Sequence, residues 1–195
     1  MKRLVQSLVM CGVVGAVAAG EASAQMPVSF GVGGGATIPL GSTSDFPGGE
    51  GLSTGWHGMA LVRFKPPASP VGFQIDGMYH RLGFSDELAS SIGDGKRQLI
   101  NGTANLVFSF PVSAETRFRP YLIGGVGLYN SKNKLDSGVD SESETDFGFN
   151  AGAGFDVGFG GGTFFVEGRF HNVFVSDIDD TKFIPITAGI RFGGN

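Results

Sequence analysis

The chain has 195 residues, 18 acidic against 14 basic for a formal net charge of −4, with 34 glycines, 18 phenylalanines and only 16% charged residues. At this length one domain is the default, the 41% apolar fraction is too high for disorder, and the acidic balance argues against a nucleic-acid partner. A charged fraction well below the roughly 25% of soluble domains makes an unusual surface for water.

Lys2 and Arg3 precede an apolar run from Leu8 to Gly20, and Ala22-Ser23-Ala24 supplies the small-x-small pattern of a cleavage site before Gln25. The run is shorter than the roughly 20 residues that cross a bilayer as a helix. Residues 1–24 are therefore predicted to be a cleaved signal peptide and 25–195 a single mature domain. The only cysteine, Cys11, leaves with that segment, so thiol chemistry and disulfides are not expected in the mature protein.

From Pro27 onward, aromatic and β-branched residues recur at period two and helix-period stripes are missing, which predicts strands. Eight runs follow in chain order, near 27–40, 55–66, 71–84, 96–110, 118–130, 145–159, 163–174 and 183–193. In the third, Val71, Phe73, Ile75, Gly77 and Tyr79 oppose Gln74, Asp76, Met78 and His80. In the sixth, Phe147, Phe149, Ala151, Ala153, Phe155, Val157 and Phe159 oppose Gly148, Asn150, Gly152, Gly154, Asp156 and Gly158. The seventh sets Phe164, Val166, Gly168 and Phe170 against Glu167, Arg169 and His171; the eighth sets Ile184, Ile186, Ala188, Ile190 and Phe192 against Pro185, Thr187, Gly189 and Arg191.

A soluble β-protein buries its apolar face, whereas a membrane barrel turns that face to lipid. Here the polar face is mostly glycine, Asn and Thr rather than the Lys and Glu of a wetted surface, and each run reaches the roughly 9–11 residues that a tilted spanning strand needs. The connections alternate as well: 41–54, 85–95, 131–144 and 175–182 are long and polar, while 67–70, 111–117 and 160–162 are short. Long loops on one side and short turns on the other, with both termini at the short-turn side, define an all-β, eight-stranded antiparallel up-and-down transmembrane β-barrel. Pro39, Pro120 and Pro185 are expected near strand ends.

Arg119-Pro120-Tyr121-Leu122-Ile123-Gly124-Gly125-Val126-Gly127, then Gly152-Ala153-Gly154-Phe155-Asp156, then a closing Ile190-Arg191-Phe192, carry a family resemblance over essentially the whole mature chain. The sequence resembles the small outer-membrane β-barrels of OmpA/OmpX type, including opacity-type surface proteins. That resemblance implies a bacterial outer-membrane location. It also implies outer-membrane lipid and lipopolysaccharide as surroundings, the outer-membrane assembly machinery as a partner, and an extracellular ligand met by the loops. The single Trp and three Tyr leave phenylalanine to supply most of the interfacial aromatic girdle.

Gly31-Val32-Gly33-Gly34-Gly35-Ala36 matches a dinucleotide fingerprint by letter, yet Thr37-Ile38-Pro39 cannot open the helix which that motif needs, so a glycine-rich strand is expected. Inward glycines leave room for large neighbours across the lumen. Arg63, Asp76, Asp156, Glu167, Arg169 and His171, with His57 and His80, are predicted to point inward. An eight-stranded barrel has an interior just wide enough for its side chains, so these residues are read as a structural plug of ion pairs and hydrogen bonds. No catalytic, cofactor or metal residues are assigned. Asp136, Asp140, Glu142, Glu144 and Asp146 in one loop, and Asp177, Asp179 and Asp180 in another, are read as solvated acidic runs.

The function expected is membrane integrity or surface interaction through four external loops, by a barrel that is not an enzyme. Two alternatives remain at this stage. A soluble periplasmic barrel binding a lipophilic ligand would place the greasy faces inside, around a cavity. A lipid A-modifying barrel enzyme would need His and Ser near the outer rim, but no His-x-Ser pair occurs in the sequence.

Overall fold

The computed structural model describes residues 28–45, 50–113, 116–135, 143–175 and 180–193. The predicted signal segment 1–24 lies outside the described residues, as do Asp136, Asp140, Glu142, Asp177 and Asp179. Period-two alternation resolves into eight strands: β1 (Val28–Pro39), β2 (Gly55–Phe64), β3 (Val71–Gly83), β4 (Gly95–Ser109), β5 (Phe118–Leu135), β6 (Glu144–Phe159), β7 (Gly162–Phe174) and β8 (Thr181–Gly193). Each strand pairs antiparallel with the next, and β1 pairs with β8 to close the barrel. Closure matters because every strand then has two neighbours to take its backbone hydrogen bonds, the condition for a sheet to sit in hydrocarbon. No helix among the described residues is long and apolar enough to cross a membrane.

The apolar faces point outward. Phe30, Phe73, Ile75, Leu106, Leu128, Phe147 and Ile190 are all exposed on the outer wall. This overturns the soluble alternative, in which Phe147, Phe149 and Ile190 would line a pocket. The interior is mixed rather than purely polar. Met59, Leu61, Met78 and Phe165 form one buried cluster; Leu99, Tyr129, Val173 and Phe183 form a second; Val107, Tyr121 and Ile123 form a third. Two of the three tyrosines are therefore interior, and among the described residues the outward aromatic face consists of Trp56, Tyr79 and phenylalanines.

Four details differ from the sequence expectation. The 85–95 connection is not all loop: Asp86–Ile92 form a short helix, α1, whose first turn is capped where Ser85 Oγ accepts from the Leu88 amide at 3.3 Å. β5 runs to Leu135 instead of ending near 130, because its polar end pairs with Gly95–Leu99 of β4. Pro185 is interior to β8, which begins two residues earlier than expected, and it has no amide to donate. The β7–β8 ladder accordingly stops at Gly168↔Ile186 and resumes at His171↔Phe183.

The fourth concerns the inward glycines, which make room for large side chains on the adjacent strand rather than across the lumen. A Cβ on Gly154 would lie 2.6 Å from the Tyr121 ring and hydroxyl, and Gly154 and Tyr121 are register partners. One on Gly189 would come within 2.5 Å of the Phe165 ring of its partner strand. The fingerprint-like Gly31–Ala36 stretch lies wholly within β1, with no helix after it.

Candidate functional site

The predicted residues fall into two tiers inside the barrel. The lower tier, toward the short-turn end, is charged. Arg169 on β7 donates from Nε to Glu167 Oε1 at 2.5 Å and from Nη2 to Asp76 Oδ2 at 2.9 Å. Asp76 also accepts from Thr103 Oγ1 (2.7 Å), Gln74 Nε2 (2.9 Å) and Asn105 Nδ2 (3.0 Å), so its carboxylate is fully engaged. Glu167 takes a further bond from the Tyr121 hydroxyl at 2.9 Å and lies 3.8 Å from Arg63 Nη2. Arg63 stacks 4.5 Å over the Tyr121 ring, donates to Gln74 Oε1 at 2.8 Å, and reaches Asp156 at 3.4 Å. Arg191 Nη2 completes the chain by meeting Asp156 Oδ2 at 2.6 Å.

Five of the eight residues predicted to point inward thus meet in one network: Arg63, Asp76, Asp156, Glu167 and Arg169. His171 stands apart, in the upper tier. Its Nδ1 lies 2.9 Å from the Tyr129 hydroxyl and its ring stacks on Phe183 at 4.9 Å. His80 packs on the same phenylalanine, and Thr37 Oγ1 lies between His80 Nδ1 (2.8 Å) and His57 Nδ1 (3.0 Å). His57 Nε2 reaches Thr187 and His80 Nε2 reaches Asn101.

Thr103, Asn105, Tyr121, Tyr129 and Thr37 were not assigned from the sequence. Extending the alternation to β1, β4 and β5 would have found them, because Thr37, Thr103, Asn105 and Tyr121 sit between apolar or glycine neighbours and Tyr129 follows outward Leu128. Gln74 and Arg191 stood on the predicted inward faces without being singled out.

Both ends of the interior are furnished. At the long-loop end, residues 40–45 and 50–54 lie over the mouth. Thr43 and Leu52 are buried there, and Thr43 Oγ1 accepts from the Lys182 amide at 2.8 Å. Glu50 pairs with Arg97 and takes a 2.6 Å bond from Thr181. Beneath them, among Leu82, Leu99, His80 and Phe183, the remaining space is about 10 Å3, the size of one water. At the short-turn end, burial and then the neighbouring Arg119 guanidinium hold the Lys65 ammonium below its ordinary pKa.

A closed eight-stranded antiparallel barrel with apolar outer walls is now joined by a sequence match: residues 9–192 fit the family described as the outer membrane protein beta-barrel domain. The chain belongs to that family. Among solved structures the barrel is similar to Neisserial surface protein A, with a TM-score of 0.63 and 16% identity over 86% of this chain and 97% of that one. It is also similar to Ail, the attachment invasion locus protein of Yersinia pestis, with a TM-score of 0.54 and 18% identity over 86% of this chain and 97% of that one. At such identities the likeness is one of fold. No curated protein sequence matches this one.

Proposed function

We propose that this outer-membrane barrel acts as a filled, non-catalytic membrane protein, contributing to envelope integrity or to surface contacts through its long-loop end. Residues 1–24 serve as its export signal and are cleaved after Ala24. The observation that carries the reading is the pairing of the interior charges. Arg63, Asp76, Asp156, Glu167, Arg169 and Arg191 engage one another and neighbouring amides and hydroxyls, which supports a structural role and leaves little room for solute passage. Channels of this architecture need about 16 strands.

The arrangement of the histidines supports the absence of catalysis. A lipid A-modifying barrel would need an imidazole on the lipid-facing rim, yet His57, His80 and His171 are all buried inside. Their hydrogen-bond partners are Thr37, Thr187, Asn101 and Tyr129, and among the described residues none is oriented by a carboxylate as an acyl-transfer base would be. An extracellular ligand for the loops fits the same reading; the solved Ail structure holds the heparin analogue sucrose octasulfate.

Fractionation of expressing bacteria, with the electrophoretic mobility shift on boiling and N-terminal sequencing of the recovered protein, tests the proposal. Recovery in the outer membrane as a heat-modifiable band beginning at Gln25 is expected. A soluble periplasmic protein would overturn it.

A further inference from the structure

The short-turn end carries more positive charge than the plug uses. Arg119 shares the inward face of β5 with Tyr121, two residues away, and Lys65 follows Arg63 at the same spacing just past the end of β2. Both stand at the mouth, Lys65 half-buried and Arg119 exposed. With Arg63, Arg169 and Arg191 they make five inward cations in this half of the barrel. Among the described residues they face three carboxylates, Asp76, Asp156 and Glu167.

Those carboxylates are engaged by the buried arginines. Asp76 and Glu167 hold Arg169, and Asp156 Oδ2 meets Arg191 at 2.6 Å and Arg63 at 3.4 Å. Arg119 lies across the register from Asp156 yet makes no ion pair with it, and Lys65 makes none with any described carboxylate. Arg63 Nη2 and Arg191 Nη1 are buried donors without a hydrogen-bond acceptor among the described residues. The surroundings of Lys65 show the same imbalance: burial and the guanidiniums of Arg119, Arg63 and Arg191 lower its pKa, and Asp156 alone raises it.

The two mouth cations border an open recess. About 300 Å3 lies between the 65–70 turn and the 109–113 connection, lined by Lys65, Arg119 and Ser109 and by the apolar Pro70, Phe110 and Val112. That volume is at the low end of small-ligand sites. The charge count selects the ligand. Two positive charges are left over, and a carboxylate or a phosphodiester brings only one negative charge. A phosphate monoester brings about −1.5 to −2 near pH 7, with three acceptor oxygens. A guanidinium offers those oxygens its fork, and an ammonium adds a point charge.

We propose that this recess binds a phosphate dianion from the periplasm, free or as the monoester of a small soluble molecule. Arg119 and Lys65 hold the phosphate, with the Ser109 hydroxyl beside them, and the apolar wall takes the carbon substituent of an ester. The periplasmic source rests on the reading of the short-turn end as the inner face of the membrane.

The test uses the full barrel purified in a neutral detergent and chloride buffer and shown to be folded by its heat shift. Ligands are titrated by calorimetry at constant ionic strength. Inorganic phosphate and glycerol 3-phosphate should each bind saturably, and dimethyl phosphate, a singly charged diester, roughly tenfold more weakly. Tighter binding of glycerol 3-phosphate assigns the site to a monoester, and tighter binding of inorganic phosphate assigns it to the free anion. The Lys65→Gln/Arg119→Gln variant should weaken both roughly tenfold, Arg119→Lys several-fold, and Lys182→Gln, at the opposite end, not at all. In chloride alone the double variant should keep or raise the parent's urea midpoint, because it removes repelling charges. Added phosphate should then stabilise only the parent.

Equal affinity for the diester, or equal affinities of parent and double variant, would overturn the proposal. So would a phosphate effect that chloride matches at the same ionic strength, which would be screening alone. If the double variant does not fold, Lys65→Gln and Arg119→Lys carry the comparison singly. A protein that never shows a heat shift overturns the barrel reading and the site together, whereas a heat-shifted barrel indifferent to phosphate overturns the site alone.

Discussion

Arg169 on β7 and Asp76 on β3 stand on opposite walls of the eight-stranded barrel, four strands apart in either direction, and meet across the interior with Nη2 2.9 Å from Oδ2. Arg63 on β2 and Asp156 on β6 repeat the relationship at 3.4 Å. Neighbouring strands are already tied by backbone bonds, so these side chains add what the sheet lacks: links across the cylinder. The hub residue also sits where the β7–β8 ladder is interrupted opposite Pro185.

Removing Arg169 would strand Asp76 and Glu167 as buried carboxylates without their main cation. Breaking such a buried pair costs about 3–5 kcal/mol. Arg169→Ala should therefore lower the urea midpoint, read as loss of the unshifted band on a gel. Arg169→Met combined with Asp76→Asn and Glu167→Gln should recover much of the loss, since the uncompensated charges go too. An unchanged midpoint for Arg169→Ala would remove it from the network.

The inward glycines make a steric prediction with a built-in contrast. In Gly154→Ala the new methyl would lie 2.6 Å from the Tyr121 ring, displacing the hydroxyl that donates to Glu167. Overpacking of this kind costs about 1–3 kcal/mol. Gly58→Ala, on the outer wall with nothing within 4 Å, should leave the same urea midpoint within about 0.5 kcal/mol of the parent.

The segment over the mouth is latched at Glu50, which holds Arg97 and accepts from Thr181. Glu50→Ala should speed protease cleavage within residues 40–54 several-fold while the barrel's heat shift persists. Equal cleavage rates in parent and variant would show that the latch does not restrain the segment.

A filled interior predicts no steady conductance when the protein is inserted in planar bilayers, and no swelling of vesicles in a small sugar. Sustained single-channel steps from the parent protein would contradict the structural plug. The Arg63→Ala/Asp156→Ala pair, which opens the short-turn end, is the variant in which transient steps should first occur.

The sequence by itself determined the class, the strand count and the inside–outside assignment of four strands, because a period-two pattern is a local property: successive side chains must point to opposite faces. It also placed Arg63, Asp76, Asp156, Glu167 and Arg169 on one side of the wall. Which of them would touch was not local. Their separations along the chain, 93 residues for Arg169 and Asp76, are closed only when β1 meets β8 and sets the barrel's width. The same closure sent His171 to a different tier from Arg169, two residues away, and set Tyr121 against Glu167 and Tyr129 against His171. Alternation fixes the face a residue occupies, but its height and its partner follow from strand register, and register is settled only by all eight strands packing at once.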